Sequence, residues 1–218
     1  YKQMTGNIIS ATKVEPDGKF TNSAASGVWN LQDAYDYTRG GNWPNAANTT
    51  ERGVFAGGDT GSVVNTMEFI TISSAGNAVD FGDLTAATGY MNQGQAASST
   101  RGVFSGGFTN QNINVIQYIT IANTGDATDF GDLSSSRYHG GSCSSATRAV
   151  FMGGFISSAQ DVIEYVTIAN TGNVTDFGNL TRVAYNNSGL ASPTRGINAN
   201  NQVNGEEIDY ITIANTGN

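Results

Sequence analysis

The residues able to do chemistry in this chain are few, and most of them recur. Asp-Phe-Gly stands at 80–82, 129–131 and 176–178, spelling the tripeptide with which a protein kinase holds magnesium. A kinase uses it once, beside a glycine-rich loop, a strand lysine and a catalytic-loop aspartate. Three copies in segments of strand composition point to a structural role: Phe130 fills a seam of the core, Gly131 permits a bulge or a close backbone approach, and Leu133 caps the layer. Carboxylates such as Asp80/Asp83 and Asp129/Asp132 are of the type that glycoside chemistry pairs, but these too arise by repetition. His139 and Cys143 are the only residues of their kinds. Two ligands four apart fall short of the four that a zinc site wants, and a single histidine without a glycine-flanked serine elbow makes no hydrolase. No Asp/Asn-rich calcium loop is recognisable. The expectation is a non-enzymatic chain with no catalytic residues, no metal site and no cofactor.

Two polar columns remain. Arg52, Arg101, Arg148 and Arg195 follow one another at 49, 47 and 47 residues. If three strands form an antiparallel meander after each arginine, the arginine stands near the start of the third, which predicts the pairs Arg52 with Asp80, Arg101 with Asp129 and Arg148 with Asp176, within one unit or across to its neighbour. Partly buried pairs of this kind fix register more reliably than they add stability. Arg195 finds no equivalent aspartate in the sequence. Glu68, Gln117, Glu164 and Asp209 form the second column, at the third position of a strand, and are expected to line a solvated central channel rather than to hold a cation.

What positions both columns is a repeat. Tyr-Ile-Thr-Ile-Ala-Asn-Thr-Gly at 118–125 returns at 165–172, with Val166 for isoleucine, and at 210–217; a looser copy occupies 69–76. A period of 47–49 residues belongs with propeller-type repeats, longer than the roughly 33 to 34 of helical arrays. Each unit reads as four pieces. The first, as in 101–107, is a strand stopped by Gly-Gly in a tight turn. The second, as in 115–121, is β-branched and aromatic at odd and even positions, hence buried on both faces. A turn ending at Gly125 leads to the third strand, 128–133. The polar, small-residue run 134–147 is expected to hold the outermost strand and a loop. Four strands per unit make one propeller blade.

At 218 residues the chain is long enough to bury about 70% of its unfolded surface as one all-β domain. Glycine is abundant, with 28 residues against 3 prolines, while 38% hydrophobic content still supports a core. A net charge of −8 with only 10 lysines and arginines disfavours nucleic acid and anionic membranes, and no apolar run approaches the roughly 20 residues of a membrane helix. One cysteine excludes an internal disulfide. Residues 1–42 lack the repeat and form an N-terminal arm ahead of the repeat region 43–218. Within the arm 7–14 reads as a strand, 15–18 as a turn and 32–37 as a helical turn. Residues 27–31 resemble the third strand that the fourth unit lacks, so they either close a ring or belong to an arm that packs elsewhere, for instance on a neighbouring subunit. No leader is visible, and the absence of a fourth Phe-Gly-Asp-Leu suggests a cut polypeptide or an unusual closure.

The order of elements, a strand ending in Gly-Gly, an apolar strand around Tyr118 or Tyr165 and an aromatic-centred third strand, resembles kelch-type repeats over about 52–218. Phe81, Phe130 and Phe177 stand where that family places tryptophan. The resemblance implies a kelch-like β-propeller of about four blades, possibly part of a larger ring. Copper-oxidase chemistry, found in some kelch propellers, needs a crosslinked tyrosine and two histidines and does not carry over to a chain with His139 alone. The wording of the units is also similar to arrays in structural and tail-fibre proteins of tailed phages, notably those of aquatic cyanobacteria, with 26–29 and 41–44 resembling the lead-in. That implies a virion component displayed on the particle, with other virion proteins as partners, homo-oligomeric assembly, and contact with a host glycan or receptor. A purely structural decoration subunit and a secreted adhesin are the alternatives. The loops 59–65, 108–114 and 155–161 vary among repeated units, which makes Asp59, Thr60, Phe108, Asn110, Phe155 and Ser157 candidate ligand contacts; Phe108 and Phe155 either stack on sugar rings or pack between blades. Asn198, where other units carry phenylalanine, and Asn200-Asn201, where they carry Gly-Gly, suggest a polar unit at the end of the array.

Overall fold

A computed structural model describes residues 52–94, 96–199 and 208–217. The chain divides between Thr49 and Thr50 into two units, and the repeats belong to the second. The N-terminal arm, with its expected strand, helical turn and ring-closing segment at 27–31, lies outside the described residues, as do Asn200 and Asn201. Among the described residues the protein is all-β, with fourteen strands and no helix.

Three units open with an antiparallel meander. The first is β1 (Arg52–Ala56), β2 (Thr66–Thr71) and β3 (Val79–Asp83); the second is β5 (Arg101–Ser105), β6 (Val115–Thr120) and β7 (Thr128–Asp132). The third is β9 (Arg148–Met152), β10 (Gln160–Thr167) and β11 (Thr175–Ala184), and β13 (Arg195–Ala199) with β14 (Ile208–Thr212) begin a fourth. The Gly-Gly pairs close the first strand as expected. Gly106 has φ 61°, and a Cβ there would stand 2.5 Å from the Arg137 carbonyl oxygen, so only glycine fits this turn. Gly131 plays its expected part as well: at φ 148° it borders a bulge in its own strand β7, where Phe130 is the extra residue between the pairs Ile116–Gly131 and Gln117–Asp129, and a Cβ would collide with the Gly172 carbonyl of the next unit.

The fourth piece corrects the sequence reading. The small-residue run was expected to hold the outermost strand; it supplies the innermost one. β4 (Gln93–Gly94), β8 (Gly141–Ser144) and β12 (Ser188–Ala191) pair in parallel, in the order β8, β4, β12. Each also lies antiparallel to the first strand of the following unit: β8 to β9, β12 to β13, and the stretch after β4 to β5 through the Ala97–Gly102 bridge. All four residues of β8 are buried. Smallness is the reason. A Cβ built on Gly189 or Gly94 would collide with the Ser142 carbonyl, so the backbones meet at a distance that larger side chains forbid. The outer edge of the third sheet is β11, the Asp-Phe-Gly strand.

Consecutive meanders pack face to face, and one apolar cluster fills each junction. Met67, Phe81 and Leu84 meet Ile119 and Ala127; Ile116, Phe130 and Leu133 meet Ala149, Phe151, Val166 and Ile168; Ile163, Phe177 and Leu180 meet Ile211 and Ile213. Phe130 and Leu133 thus sit where their sequence roles put them. Strands β6 and β10 are buried on both faces because a sheet covers each side. The next unit's turn also hydrogen-bonds the third strand's edge: the Gly125 amide donates to the Phe81 carbonyl, Gly172 to Phe130 and Gly217 to Phe177. One expectation fails at the far end. Asn198 is not on a polar outer surface but is 1% exposed, with its side-chain oxygen against Gly141.

Burial at the centre pushes the Cys143 thiol up to about 12, so almost no thiolate forms near neutral pH. In the folded protein Cys143 should resist alkylation by iodoacetamide at pH 8 and react fully in denaturant, as read by mass spectrometry. Rapid labelling of the native chain would contradict a central position for β8.

Candidate functional site

The arginine column does not pair with the aspartates. Arg101 stands opposite Thr120 and Asp129 opposite Gln117, which itself faces Phe104, so the meander leaves each Arg and Asp three residues, or roughly 10 Å, apart along the strands. The first and third units share this offset. Each guanidinium instead lies over the aromatic ring of its own second strand: Arg52 over Phe69 at 4.4 Å, Arg101 over Tyr118 at 4.5 Å, Arg148 over Tyr165 at 4.4 Å and Arg195 over Tyr210 at 4.9 Å. From that stacked position Nη1 of Arg52, Arg101 and Arg148 donates to two consecutive carbonyls of the next unit. Arg52 reaches Ile121 and Ala122 at 2.9 and 3.1 Å, Arg101 reaches Ile168 and Ala169 at 2.9 and 3.0 Å, and Arg148 reaches Ile213 and Ala214 at 2.9 Å each.

The carboxylate and amide column is likewise not a channel lining. Gln117 and Glu164 are buried and reach back to the preceding unit. Gln117 Oε1 accepts from the Thr85 amide and hydroxyl at 2.9 and 3.0 Å. Glu164 forms an ion pair with Arg137, whose Nη2 donates to Oε2 at 2.6 Å, and Asp209 accepts from the Thr181 hydroxyl at 2.7 Å. Glu68, in the first unit, is exposed. Arg137 is wholly buried where the neighbouring units carry Thr88 and Ala184. Both columns therefore tie units together. Among the described residues, no three His, Cys, Asp or Glu side chains gather as a cation would require.

The surface with features of a binding site is the one that carries the loops. Each loop is short and closed on itself by a bridge: Asp59 to Val63, Phe108 to Asn112, and Phe155 to Ala159. The loop bases also bridge to the segment that leads into the innermost strand, Gly89 to Phe108 and Tyr138 to Phe155. This juxtaposition produces an unbroken file of rings. Tyr90 lies 6.4 Å from Phe108, Phe108 6.1 Å from Tyr138, Tyr138 5.7 Å from Phe155 and Phe155 5.0 Å from Tyr185. His139 fits between Tyr90 and Tyr138 at 5.1 and 4.9 Å. Tyr90 is exposed and the other members of the file are half-buried.

Two further features hold this file. Tyr90, His139 and Asn186 occupy one repeated position with φ of 56°, 58° and 55°, a left-handed backbone that costs an ordinary residue about 1 kcal/mol or more. Their backbones link the units in series, the His139 amide donating to the Tyr90 carbonyl and the Asn186 amide to the His139 carbonyl. The Tyr90 hydroxyl donates to Asp59 Oδ2 at 2.6 Å and the Gly61 amide to Oδ1 at 2.8 Å; these bonds draw the Asp59 pKa below the usual carboxylate range, and the same contact raises that of the Tyr90 phenol. Burial pushes the His139 pKa down, which keeps the imidazole neutral among the rings, and its Nδ1 is buried with no protein partner. Asn112 joins the second loop to the third by donating to the Ile156 carbonyl at 3.1 Å.

Of the residues singled out in the sequence, Phe108 and Phe155 lie in the file and Asp59 buttresses it. Thr60, Asn110 and Ser157 are exposed at the loop tips. Sequence reasoning missed Tyr90, Tyr138 and Tyr185 and weighed His139 only as a metal ligand or catalytic histidine; the available signal was the recurrence of Tyr138 and Tyr185 at the 47-residue period, inside a run whose polar, small residues suggested an outermost strand and a loop. A cleft of about 310 Å³ lies between the first two sheets against Gly53, Val54, Ile72, Ala96, Val103 and Ile119. It is mainly apolar and contains no member of the file.

No family model matches the chain, and no curated protein matches it.

The buried ion pair offers a direct test of how the junctions work. Glu164→Ala should cost about 3–5 kcal/mol in urea unfolding, because it strands a buried guanidinium. The double variant Arg137→Met/Glu164→Gln keeps the volume and places glutamine where the preceding junction has Gln117; it should recover most of that loss. A double variant as unstable as the single one would mean that the charge pair itself holds the junction.

Proposed function

We propose that this chain is a kelch-like β-propeller module of about four blades, acting without catalysis in a tail fibre or surface appendage of a phage particle and contacting glycans of the host surface through its loop face. The observation that carries the glycan reading is the continuous file Tyr90, Phe108, Tyr138, Phe155 and Tyr185. Aromatic faces pack against the C–H faces of sugar rings while tyrosine hydroxyls remain available to polar groups. The exposed Thr60, Asn110, Gln111 and Ser157 beside the file supply the hydrogen-bonding groups that sugar hydroxyls require. Tight, bridged loops are already ordered, so little conformational entropy is lost on binding. With a net charge of −8, and Asp59 ionised at the edge of the file, the face suits neutral glycans and repels sulfated or uronic-acid chains.

The placement on a virion rests on the likeness of the repeat wording to phage arrays. The propeller reading is supported by sheets that stack in succession, with the third and fourth taking their innermost strand from the preceding unit. A decoration subunit that meets only other virion proteins is the second reading, favoured by the exposed apolar Phe55, Ile72, Ile208 and Tyr210 on the first and last sheets.

Neutral oligosaccharide binding, followed by saturation-transfer NMR on the whole chain, tests the proposal. Protons of Tyr90, Phe108 and Tyr138 should saturate the bound sugar, and Phe108→Ala or Tyr138→Ala should weaken binding at least tenfold, in the range of anchor residues. Absence of binding to any neutral glycan on an array, or binding indifferent to both variants, would overturn it.

A further inference from the structure

Among the described residues the first and last sheets each present one uncovered face, and the internal junctions show what belongs there. In the second to fourth units, the face that receives the preceding unit carries a first-strand side chain and the isoleucine that follows the second strand. Phe151, Ile168 and Ile213 hold these positions in the third and fourth units and are 0 to 1% exposed, while Phe104 and Ile121 of the second unit are half-buried. The matching residues of the first unit, Phe55 and Ile72, are 61% and 66% exposed. On the opposite face, which receives the following unit, Met67, Ile116 and Ile163 are likewise 0 to 1% exposed, whereas the matching Ile208 of the last unit is 69% exposed and its neighbour Tyr210 68%. Both uncovered faces are thus apolar.

These surfaces are the two halves of one interface, and the chain builds that interface three times internally. Arg195 extends the match. It already stacks on Tyr210, the position from which Arg52, Arg101 and Arg148 each reach two carbonyls of the following unit. In the first unit the corresponding carbonyls are those of Ile72 and Ser73, on the uncovered face. Among the described residues both faces are exposed, and each carries the residue positions that cover its counterpart at the internal junctions.

We propose that a second copy of this chain docks head to tail. The β13–β14 face bearing Ile208 and Tyr210 covers the β1–β3 face bearing Phe55 and Ile72 of the next copy, and Arg195 donates to the carbonyls of the partner subunit's Ile72 and Ser73. The contact joins two different patches, so it is heterologous, and propagation gives a ring if the rotation closes or a filament if it does not. This assembly is independent of the glycan reading.

Sedimentation velocity of the whole chain and of two surface variants tests it. The unmodified chain should grow past dimer as its concentration rises. Tyr210→Glu blocks the tail face and Ile72→Glu the head face, and each variant alone should stay monomeric. Their equimolar mixture should form a one-to-one dimer and nothing larger, because one good head then meets one good tail. Both positions are exposed, so folding should survive; circular dichroism and protected Cys143 check this. Three results overturn the proposal: a monomeric unmodified chain at millimolar concentration, assembly that persists in both variants, or a mixture that does not dimerise. If either substitution unfolds the chain, Phe55→Ser and Ile208→Ser take their places in the same mixing experiment.

Discussion

A guanidinium held flat against one ring and forked onto two carbonyls is the contact on which the rest of this architecture depends. Arg52, Arg101 and Arg148 each stack on the aromatic side chain of their own second strand and hydrogen-bond the end of the next unit's second strand. There the chain leaves the sheet to turn, and its carbonyls would otherwise lack partners. The planar, permanently charged fork of arginine can satisfy two acceptors while its face stays on an aromatic ring, which the point charge of lysine cannot. No carboxylate is required, so the junction avoids desolvating a second ion. Because one end of the contact is in each unit, the clamp fixes how successive sheets stack as well as the register within a sheet.

That clamp explains which features of the fold were legible in the sequence. Repeat period, strand positions, Gly-Gly turns and the seam-filling role of Phe81, Phe130 and Phe177 follow from side-chain type and spacing, which are local properties. The arginine column was visible, but its partner was not: backbone carbonyls have no letter in a sequence, whereas Asp129 does, and a three-residue register offset decides between them. The small-residue strands were misplaced for a related reason. Gly141, Ser142 and Cys143 are buried because backbones crowd together there, and a hydrophobicity pattern registers burial of side chains, not of main chain. Gln117 and Glu164 were read as channel lining because their partners change from unit to unit, Thr85 in one junction and Arg137 in another.

The loop face was legible only in part. Variation between units pointed to the loops and so to Phe108 and Phe155, but their neighbours in the file come from a different stretch of each unit, brought alongside by the bridges from Gly89 and Tyr138. The repeat architecture therefore separates two tasks. The clamp arginines and the seam residues Phe81, Phe130 and Phe177 keep their types from unit to unit and hold the sheets together, while the loop-face position changes from Tyr90 to His139 to Asn186 on a backbone that stays the same. A surface of graded chemistry on a constant frame is what a recognition module needs.

The central claim is that the arginine clamp, not an arginine–aspartate pair, joins one unit to the next. Urea unfolding of Arg101→Ala and Arg101→Lys under monomeric conditions measures it most directly, with Arg195→Ala as the internal reference, since stacking on Tyr210 is that guanidinium's contact among the described residues. Charge-assisted hydrogen bonds of about 1.5–3 kcal/mol and stacking of about 0.5–1 kcal/mol predict a loss of about 2–4 kcal/mol for Arg101→Ala, more than half of it persisting in Arg101→Lys, and under about 1 kcal/mol for Arg195→Ala. Equal losses at the two arginines, or full rescue by lysine, would contradict the account.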